Sequence, residues 1–204
     1  MKKVDQSTFT NFNELPDAKH LIWATGKREL ALKTPIFNIN KVHRINLDGR
    51  EGDFVELCCP EWVCVQPRFT GTDGVDYFVM ERQYRHGSDR VILEFVSGIA
   101  EKGEDPLDAA KRELLEETGL IASDIHYIGH VSANDAFMTN YLNFYLAEGL
   151  SVQDKLDKRK LDANEQIDVL CVPCEDVVKA IQEGKIDNFA SIVGLYFLNE
   201  KCMK

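Results

Sequence analysis

The chain has 204 residues, and 34 Asp and Glu against 24 Lys and Arg give a formal net charge of −10. This length corresponds to one domain with room for a small appendage, and the 44% hydrophobic content excludes collagen-like, low-complexity and disordered proteins. The acidic balance disfavours a nucleic-acid partner, because clustered Lys and Arg hold phosphate backbones. No apolar run reaches the ~20 residues of a membrane span, and no apolar stretch follows the N-terminal lysines as in a signal peptide. We therefore expect a cytoplasmic protein with no membrane partner.

In chain order, hydrophobic periodicity and turn residues predict a largely β-structured chain with a few helices packed on it. The predicted strands are 21–25, 29–34, 37–46, 54–59, 62–66, 77–84, 91–96, 127–133, 141–147 and 167–172. The predicted helices are 105–118, 174–183 and 188–201. Asp48-Gly49 is typical of a hairpin turn, and the polar segment 150–166 is predicted to be a mobile loop.

Five of the six cysteines lie in apolar, strand-like stretches: Cys58, Cys59, Cys64, Cys171 and Cys174. Cys171 and Cys174 have CxxC spacing and would form a zinc site if the earlier cysteines supplied the other half. The interpretation we favour is core packing, because a free cysteine behaves as a small hydrophobic residue.

The helix 105–118 has well-defined ends. Asp105 is a good N-cap, Pro106 suits the first helical position, and Asp108 adds negative charge to the first turn. Gly119 is a natural residue to follow the helix C-terminus. These signals fix the orientation of the side chains between them.

Three carboxylates share one face of this helix, because Glu113, Glu116 and Glu117 stand at positions i, i+3 and i+4. Like charges at this spacing repel each other unless a cation neutralises them, and dense oxygen ligands suit Mg²⁺ or Mn²⁺. Glu104 and Arg112 are placed to bracket the cluster. The alternative is an ordinary solvated acidic face, since exposed glutamates are common.

The whole segment resembles the Nudix box, whose defined residues recur here at matching spacing. They are Gly98, Glu104, Arg112, Glu113, Leu114, Glu116, Glu117, Gly119 and Leu120. The resemblance to Nudix hydrolases implies an α/β fold, an α/β/α sandwich with a mixed sheet. It also implies metal-dependent hydrolysis of a nucleoside diphosphate linked to another group.

In that family the matching glutamates and a backbone carbonyl at the start of the box bind the metal. The resemblance therefore implies a Mg²⁺ site, with Mn²⁺ as an alternative, formed by Glu113, Glu116, Glu117 and a carbonyl of Ser97 or Gly98. Glu104, Arg112 and Gly119 would then have structural roles within the box.

Segments outside the box are similar to the ADP-ribose pyrophosphatase branch of the family, notably Glu81–Gly87 and Leu93–Gly98. This similarity implies that residues 1–55 form an N-terminal antiparallel β-extension that builds a homodimer and covers the substrate. Residues 56–204 would form the hydrolase domain.

Three charged residues before the box are candidate substrate-binding residues. Arg82 and Arg85 would hold phosphates, because the guanidinium fork matches phosphate geometry, and Glu94 would pair with an arginine or reach the metal cluster. The alternatives are ordinary surface charge for the arginines and a structural ion pair for Glu94.

Glu165 ends a charged segment just before the predicted strand 167–172. A glutamate from the matching loop approaches the attacking water in the pyrophosphatases that this chain resembles, so Glu165 is the candidate general base or late metal ligand. Asp162 and Asp168 are competitors, and Glu165 would otherwise be a solvated loop carboxylate.

Three functions remain open at this point. The favoured one is metal-dependent hydrolysis of ADP-ribose or a related nucleoside diphosphate sugar to a nucleoside monophosphate and a sugar phosphate. The second is hydrolysis of another nucleoside diphosphate derivative, such as a dinucleotide or a nucleoside triphosphate. The third is a non-catalytic module that senses a nucleotide.

Overall fold

A computed structural model describes residues 17–155 and 159–202, with the side chains of 199–202 left undescribed. The predicted N-terminal extension therefore includes 16 residues outside the described ranges, and the charged segment before Glu165 includes 156–158, which are also outside them. The chain divides into two compact units, one ending at Cys58 and the other beginning at Cys59.

The first unit is a three-stranded antiparallel sheet preceded by a short 3₁₀ turn at Ala18–Leu21. Its strands are β1 (Trp23–Lys33), β2 (Asn38–Asn46) and β3 (Glu51–Cys58), in that order. Gly49 has a φ of 85° in the turn between β2 and β3, which confirms the hairpin predicted there. The two strands predicted at 21–25 and 29–34 are one strand, because register shifts in the pairing of β1 with β2 absorb the interruption at Gly26-Lys27.

The second unit contains a mixed seven-stranded sheet and three helices. Its strands are β4 (Trp62–Thr70), β5 (Asp76–Arg85), β6 (Arg90–Glu94), β7 (Val96–Ile99), β8 (Leu120–Ser132), β9 (Tyr141–Val152) and β10 (Ile167–Pro173). Its helices are α1 (Pro106–Thr118), α2 (Cys174–Gln182) and α3 (Phe189–Cys202). The sheet runs β10-β5-β4-β9-β8, with β6 beside β5 and β7 beside β4, and only β4 and β9 pair in parallel within the described ranges.

The sheet is covered on both faces, as the alternation of side chains along β4 shows. Val63 and Val65 belong to the core that contains Leu114 of α1, while Cys64 belongs to the core that contains Leu195 of α3. The mixed α/β class, the α/β/α sandwich and the N-terminal antiparallel sheet predicted from the sequence are confirmed.

One strand begins earlier than predicted and its partner ends later. β8 starts at Leu120, directly after α1, and Leu120 pairs with Val152 of β9. The prediction of a loop over the whole of 150–166 is therefore wrong for residues 150–152. The start of β8 and the end of β9 depend on their pairing with each other, and local composition does not reveal that pairing.

The prediction that five cysteines pack in the core is right only for Cys64, which is fully buried. Cys58 and Cys171 are exposed, and Cys59 and Cys174 are half-buried. Cys171 lies on β10, an edge strand whose side chains alternate between the packed and the open face. No zinc-type cluster of cysteines occurs in the described part of the chain.

None of the helices in the described ranges combines the length and the apolar character needed to cross a membrane.

Candidate active site

Helix α1 carries the box carboxylates, and its two ends are fixed by local interactions. The Asp105 side chain accepts a hydrogen bond from the Leu107 backbone N–H at 2.8 Å. Gly119 follows the last turn with a φ of 74°, and its N–H donates to the Leu115 carbonyl at 2.8 Å. A Cβ at Gly119 would lie 2.3 Å from the Asp154 carbonyl oxygen, so glycine is required there by both its backbone conformation and its surroundings.

Arg112 donates hydrogen bonds to three carboxylates of the cluster. Its Nε and Nη2 donate to Glu104 at 2.9 and 3.0 Å, and its Nη1 donates to Glu113 at 2.8 Å and to Glu116 at 3.1 Å. Nη2 also donates to the Ile99 carbonyl at 3.0 Å, which ties the helix to the end of β7. The hydrogen bonds from Arg112 lower the pKa of Glu104, and the carboxylates, Glu104 foremost, raise the pKa of Arg112. These contacts place Glu104 and Arg112 beside Glu113 and Glu116.

Gly98 of β7 has no side chain, and the carboxylate of Glu113 occupies the space that a side chain would fill. A Cβ on Gly98 would lie 2.1 Å from Cδ and Oε1 of Glu113, so any other residue would displace this carboxylate. Burial raises the pKa of Glu113, and the adjacent Arg112 opposes that shift. The strand backbone and the carboxylate are thus in close contact.

Glu117 points into the interior, where it meets a carboxyl group that the sequence analysis did not single out. Glu117 is 3% exposed and Glu81 of β5 is 0% exposed. Burial raises the pKa of Glu81 to about 8, and burial together with Glu81 raises the pKa of Glu117 well above its ordinary value. Neither oxygen of Glu81, nor Oε2 of Glu117, has a hydrogen-bond partner among the described residues.

These residues line a cleft of about 400 Å³. Its walls are formed by Arg85, Ser97, Gly98, Ile99, Glu101, Arg112, Glu113, Glu116, Glu117, Lys160, Asp162 and Glu165. The structure thus brings the predicted general base Glu165 to the box carboxylates, although about fifty residues of chain separate them. Its competitor Asp162 lines the same cleft, whereas Asp168 does not.

Glu165 is held in a compact turn. Its Oε2 accepts the Asp162 backbone N–H at 3.0 Å, and its own N–H donates to the Asp162 carbonyl at 2.9 Å. These two contacts hold Glu165 at the wall of the cleft.

Arg85 lies at the wall between this cleft and a second cavity. Its Nε donates to Glu94 at 2.7 Å and its Nη2 donates to the Ser97 hydroxyl at 3.2 Å. Burial alone would lower the pKa of Arg85, but the hydrogen bond to Glu94 together with the negative charges of Glu94, Glu117 and Glu81 outweighs it, and the pKa is raised. Burial also raises the pKa of Glu94, and Arg85 opposes that shift.

The second cavity has a volume of about 540 Å³ and a mainly apolar lining. It shares Arg85, Ser97, Gly98 and Ile99 with the cleft. The remaining walls are Trp62, Val63, Gly87, Ser88, Ile92, Glu94, Leu142 and Phe189.

Arg82 lies outside both cavities. Its side chain is on the opposite face of β5 from Arg85, and its Nε donates to Asp168 of β10 at 3.0 Å. It lines a separate cavity of about 810 Å³ together with Glu165 and Asp168. The structure therefore separates two arginines that the sequence analysis treated together.

The sequence analysis did not single out Lys160, which lines the cleft, or the buried Glu81. Lys160 lines the cleft, but it stands in a charged run that gives it no distinguishing signal. Glu81 does carry a signal, because it is an ionisable residue directly after the apolar run Tyr77–Met80 of a strand buried on both faces.

The donor set fits a hard divalent cation, although the described residues hold no group of three or more His, Cys, Asp or Glu already gathered around one point. Arg112 explains this, because its Nη1 occupies the space between Glu113 and Glu116. Glu117 Oε2 is buried without a hydrogen-bond partner among the described residues. Oxygen ligands of this kind are the ones that Mg²⁺ and Mn²⁺ prefer.

Comparison with known proteins agrees with this geometry. Residues 67–191, more than half of the chain, match the model of the NUDIX domain. The chain belongs to the Nudix family. This match covers the box and every residue that lines the cleft.

Among relatives, this Nudix protein is 33% identical over 123 residues to the ADP-ribose pyrophosphatase of Bacillus subtilis (strain 168), covering 60% of this chain and 65% of that protein. It is 30% identical over 120 residues to the methanol dehydrogenase activator of Bacillus methanolicus, covering 59% and 64%. It is 33% identical over 114 residues to the ADP-ribose pyrophosphatase of Escherichia coli (strain K12), covering 52% and 51%. The chain thus spans less than two thirds of the length of these relatives.

The crystal structure of an ADP compounds hydrolase superposes with a TM-score of 0.74 over 87% of this chain and 92% of that chain. At 20% identity this likeness shows the shared fold.

Proposed function

We propose that the protein hydrolyses the pyrophosphate bond of ADP-ribose or a related nucleoside diphosphate sugar, giving a nucleoside monophosphate and a sugar phosphate. The observation that carries the proposal is the shared wall of the two cavities. A carboxylate-rich cleft and a mainly apolar cavity meet at Arg85, Ser97, Gly98 and Ile99. A nucleoside diphosphate sugar has the matching form, with a charged pyrophosphate beside an aromatic base.

The reaction depends on Mg²⁺, with Mn²⁺ as an alternative, held by Glu113, Glu116, Glu117 and a backbone carbonyl of Ser97 or Gly98. Such cations, when bound, neutralise the pyrophosphate and lower the pKa of a water nucleophile. The chain prepares this site by holding Glu113 against Gly98 and by keeping Arg112 on Glu104. Arg112 can release Glu113 and Glu116 to a cation while its fork on Glu104 stays formed.

Glu165 accepts the proton of the attacking water in this proposal, since it lines the cleft beside the box carboxylates. Arg85 and Lys160 supply the positive charge for the phosphates, because both line the cleft and the protein is otherwise acidic. Glu94 keeps Arg85 directed toward the shared wall through the 2.7 Å hydrogen bond.

We also propose a homodimer. Large apolar side chains of the first unit are exposed in the single chain, among them Leu30 (60%), Leu32 (54%), Phe54 (48%) and Val55 (58%). Patches of this kind mark interaction surfaces on soluble proteins. Light scattering at micromolar concentration should give twice the 23.2 kDa of the chain, and a monomer mass would contradict the dimer.

A cytoplasmic location and the lack of a nucleic-acid or membrane partner stay predictions.

A substrate panel with product identification tests the activity. We expect purified protein with Mg²⁺ to convert ADP-ribose to AMP and ribose 5-phosphate faster than it hydrolyses a dinucleotide or a nucleoside triphosphate. Glu148→Gln is a matched control, because Glu148 pairs with Arg68 outside the cleft. Faster turnover of a dinucleotide than of ADP-ribose would show that the protein is a dinucleotide hydrolase. Nucleotide binding with no hydrolysis of any member would contradict the enzyme and favour a sensor.

A further inference from the structure

The apolar cavity beside the cleft is lined by two aromatic residues, Trp62 and Phe189. Trp62 is half-buried and packs against the apolar core beneath α3. Phe189 is the first residue of α3, and it is 45% exposed although it lines the cavity. Ligand pockets are typically lined by apolar and aromatic side chains of this kind, so Phe189 is a candidate contact for a ligand.

The position of Phe189 is fixed by its neighbours in the chain. Asn188 donates through Nδ2 to the Leu93 carbonyl at 3.1 Å, and its Oδ1 accepts a backbone N–H of the first turn of α3 at 2.9 Å, as an N-cap does. Asp187 accepts a hydrogen bond from Arg90 at 2.6 Å, so β6 and the start of α3 are joined at two points. A side chain whose backbone is held in this way needs little ordering when a ligand binds.

The polar side chains around the cavity are engaged with Arg85. Glu94 and Ser97 accept hydrogen bonds from its guanidinium at 2.7 and 3.2 Å. The Ser88 hydroxyl donates to its backbone carbonyl at 3.3 Å, and the indole nitrogen of Trp62 is buried away from the cavity surface. The walls therefore offer a base an aromatic ring and apolar contacts in preference to an array of hydrogen-bonding partners.

We propose that the ring of Phe189 stacks on the nucleobase of the substrate, and that this contact, rather than hydrogen bonds to the base edge, holds the base. The inference rests on the proposed function, because it takes the adjoining cleft as the pyrophosphate site. Arg85 at the shared wall sets the order, with the phosphates on the cleft side and the base on the side of Phe189. Every base has a π-face, so Phe189 favours nucleotides over sugar phosphates without selecting one base strictly.

Titration calorimetry with AMP tests the contact without any turnover. Replacing an aromatic residue that stacks on a base with alanine weakens binding by about 5–150-fold, so Phe189→Ala should raise the Kd of AMP by that factor. Phe189→Tyr keeps the aromatic face and should bind AMP within about threefold of the wild type. Tyr196→Ala is the matched control, because Tyr196 is an exposed aromatic residue of the same helix that does not line the cavity.

Two further ligands separate stacking from its alternatives. Ribose 5-phosphate has no base, so its Kd should differ by less than about threefold between Phe189→Ala and the wild type. IMP carries a carbonyl in place of the amine of adenine and should bind the wild type within about 100-fold of AMP, because a site built to hydrogen-bond that amine would reject IMP far more strongly. Phe189→Leu, which is apolar but has no ring, should still raise the Kd of AMP above about threefold and replaces Phe189→Ala if that variant does not fold.

Three results would overturn the proposal. The first is a Kd of AMP in Phe189→Ala within about threefold of the wild type, and the second is an equal loss for ribose 5-phosphate, which would mean that Phe189 shapes the cleft as a whole. The third is rejection of IMP by more than about 100-fold, which would assign base recognition to hydrogen bonds at the base edge. The proposed function fails separately, since a wild-type protein that binds AMP through Phe189 but hydrolyses no nucleoside diphosphate sugar would refute the activity and leave the stacking contact intact.

Discussion

The two faces of the large sheet are built from the same strands but have opposite character. The face toward α2 and α3 packs large apolar side chains, with Phe78, Met80, Phe95 and Phe144 all buried. The face toward α1 packs valines and alanines around Leu114 and Tyr145 and also encloses carboxyl groups, Glu81 among them.

Met80 and Glu81 show the contrast most directly, because they are neighbours on β5 and are both 0% exposed. Their side chains point to opposite faces. The face toward α2 and α3 is therefore stabilised by apolar burial, while the face toward α1 combines an apolar core with repulsion between carboxyl groups that a bound cation would relieve. The thickness of the sheet thus separates the carboxylate site from the larger apolar core.

The largest expected effect is on the α1 face. Glu116→Gln and Glu117→Gln should abolish turnover, because glutamine keeps size and helix propensity but removes the charge that holds the metal. The metal-free melting temperature should not fall in Glu117→Gln, since a buried acid is replaced by a neutral group. Activity assays and melting curves with and without Mg²⁺ check both points. Near-normal turnover in both variants would refute the metal-binding role of the helix.

Glu165→Gln should lower kcat by about 10²–10⁴-fold with little change in KM, the size typical of losing a general base. Initial rates across pH 6–9 at saturating Mg²⁺ would measure this. A kcat within threefold of the wild type would remove Glu165 from the mechanism and direct attention to Asp162, which lines the same cleft.

On the opposite face, Phe144→Ala should lower the free energy of unfolding by about 3–5 kcal/mol, because it opens a cavity in the apolar core. The fraction that remains folded should keep the wild-type kcat. Denaturant unfolding together with active-site titration would measure the two quantities. A loss of kcat in fully folded Phe144→Ala protein would show that the two faces are not independent.

The smallest effect is expected at Arg82. Arg82→Ala should change the free energy of unfolding by no more than about 1 kcal/mol, since its ion pair with Asp168 is exposed. KM should change by less than about threefold, because Arg82 points away from the face that holds the cleft. Steady-state kinetics would detect a larger rise in KM, which would restore Arg82 to the substrate site predicted from the sequence.

Much of the site was predictable because it is local. The residues of α1 are near neighbours in the chain, so spacing alone places Glu113, Glu116 and Glu117 on one face, and the caps at Asp105 and Gly119 fix the helix ends. The predicted strands were right where alternation was clear. They were wrong at 150–152, where the partner strand and not the composition decides how far pairing extends.

The sequence by itself thus determined the family, the α/β class and the carboxylate cluster of α1, since each depends on residues close together in the chain. Only the tertiary structure decided which distant groups meet. It brought Glu165 to the cleft, turned Arg85 toward it and Arg82 away, and set Glu81 against Glu117. The physical reason is that strand pairing and helix packing join segments far apart in sequence, and no local pattern encodes which side chains then face each other.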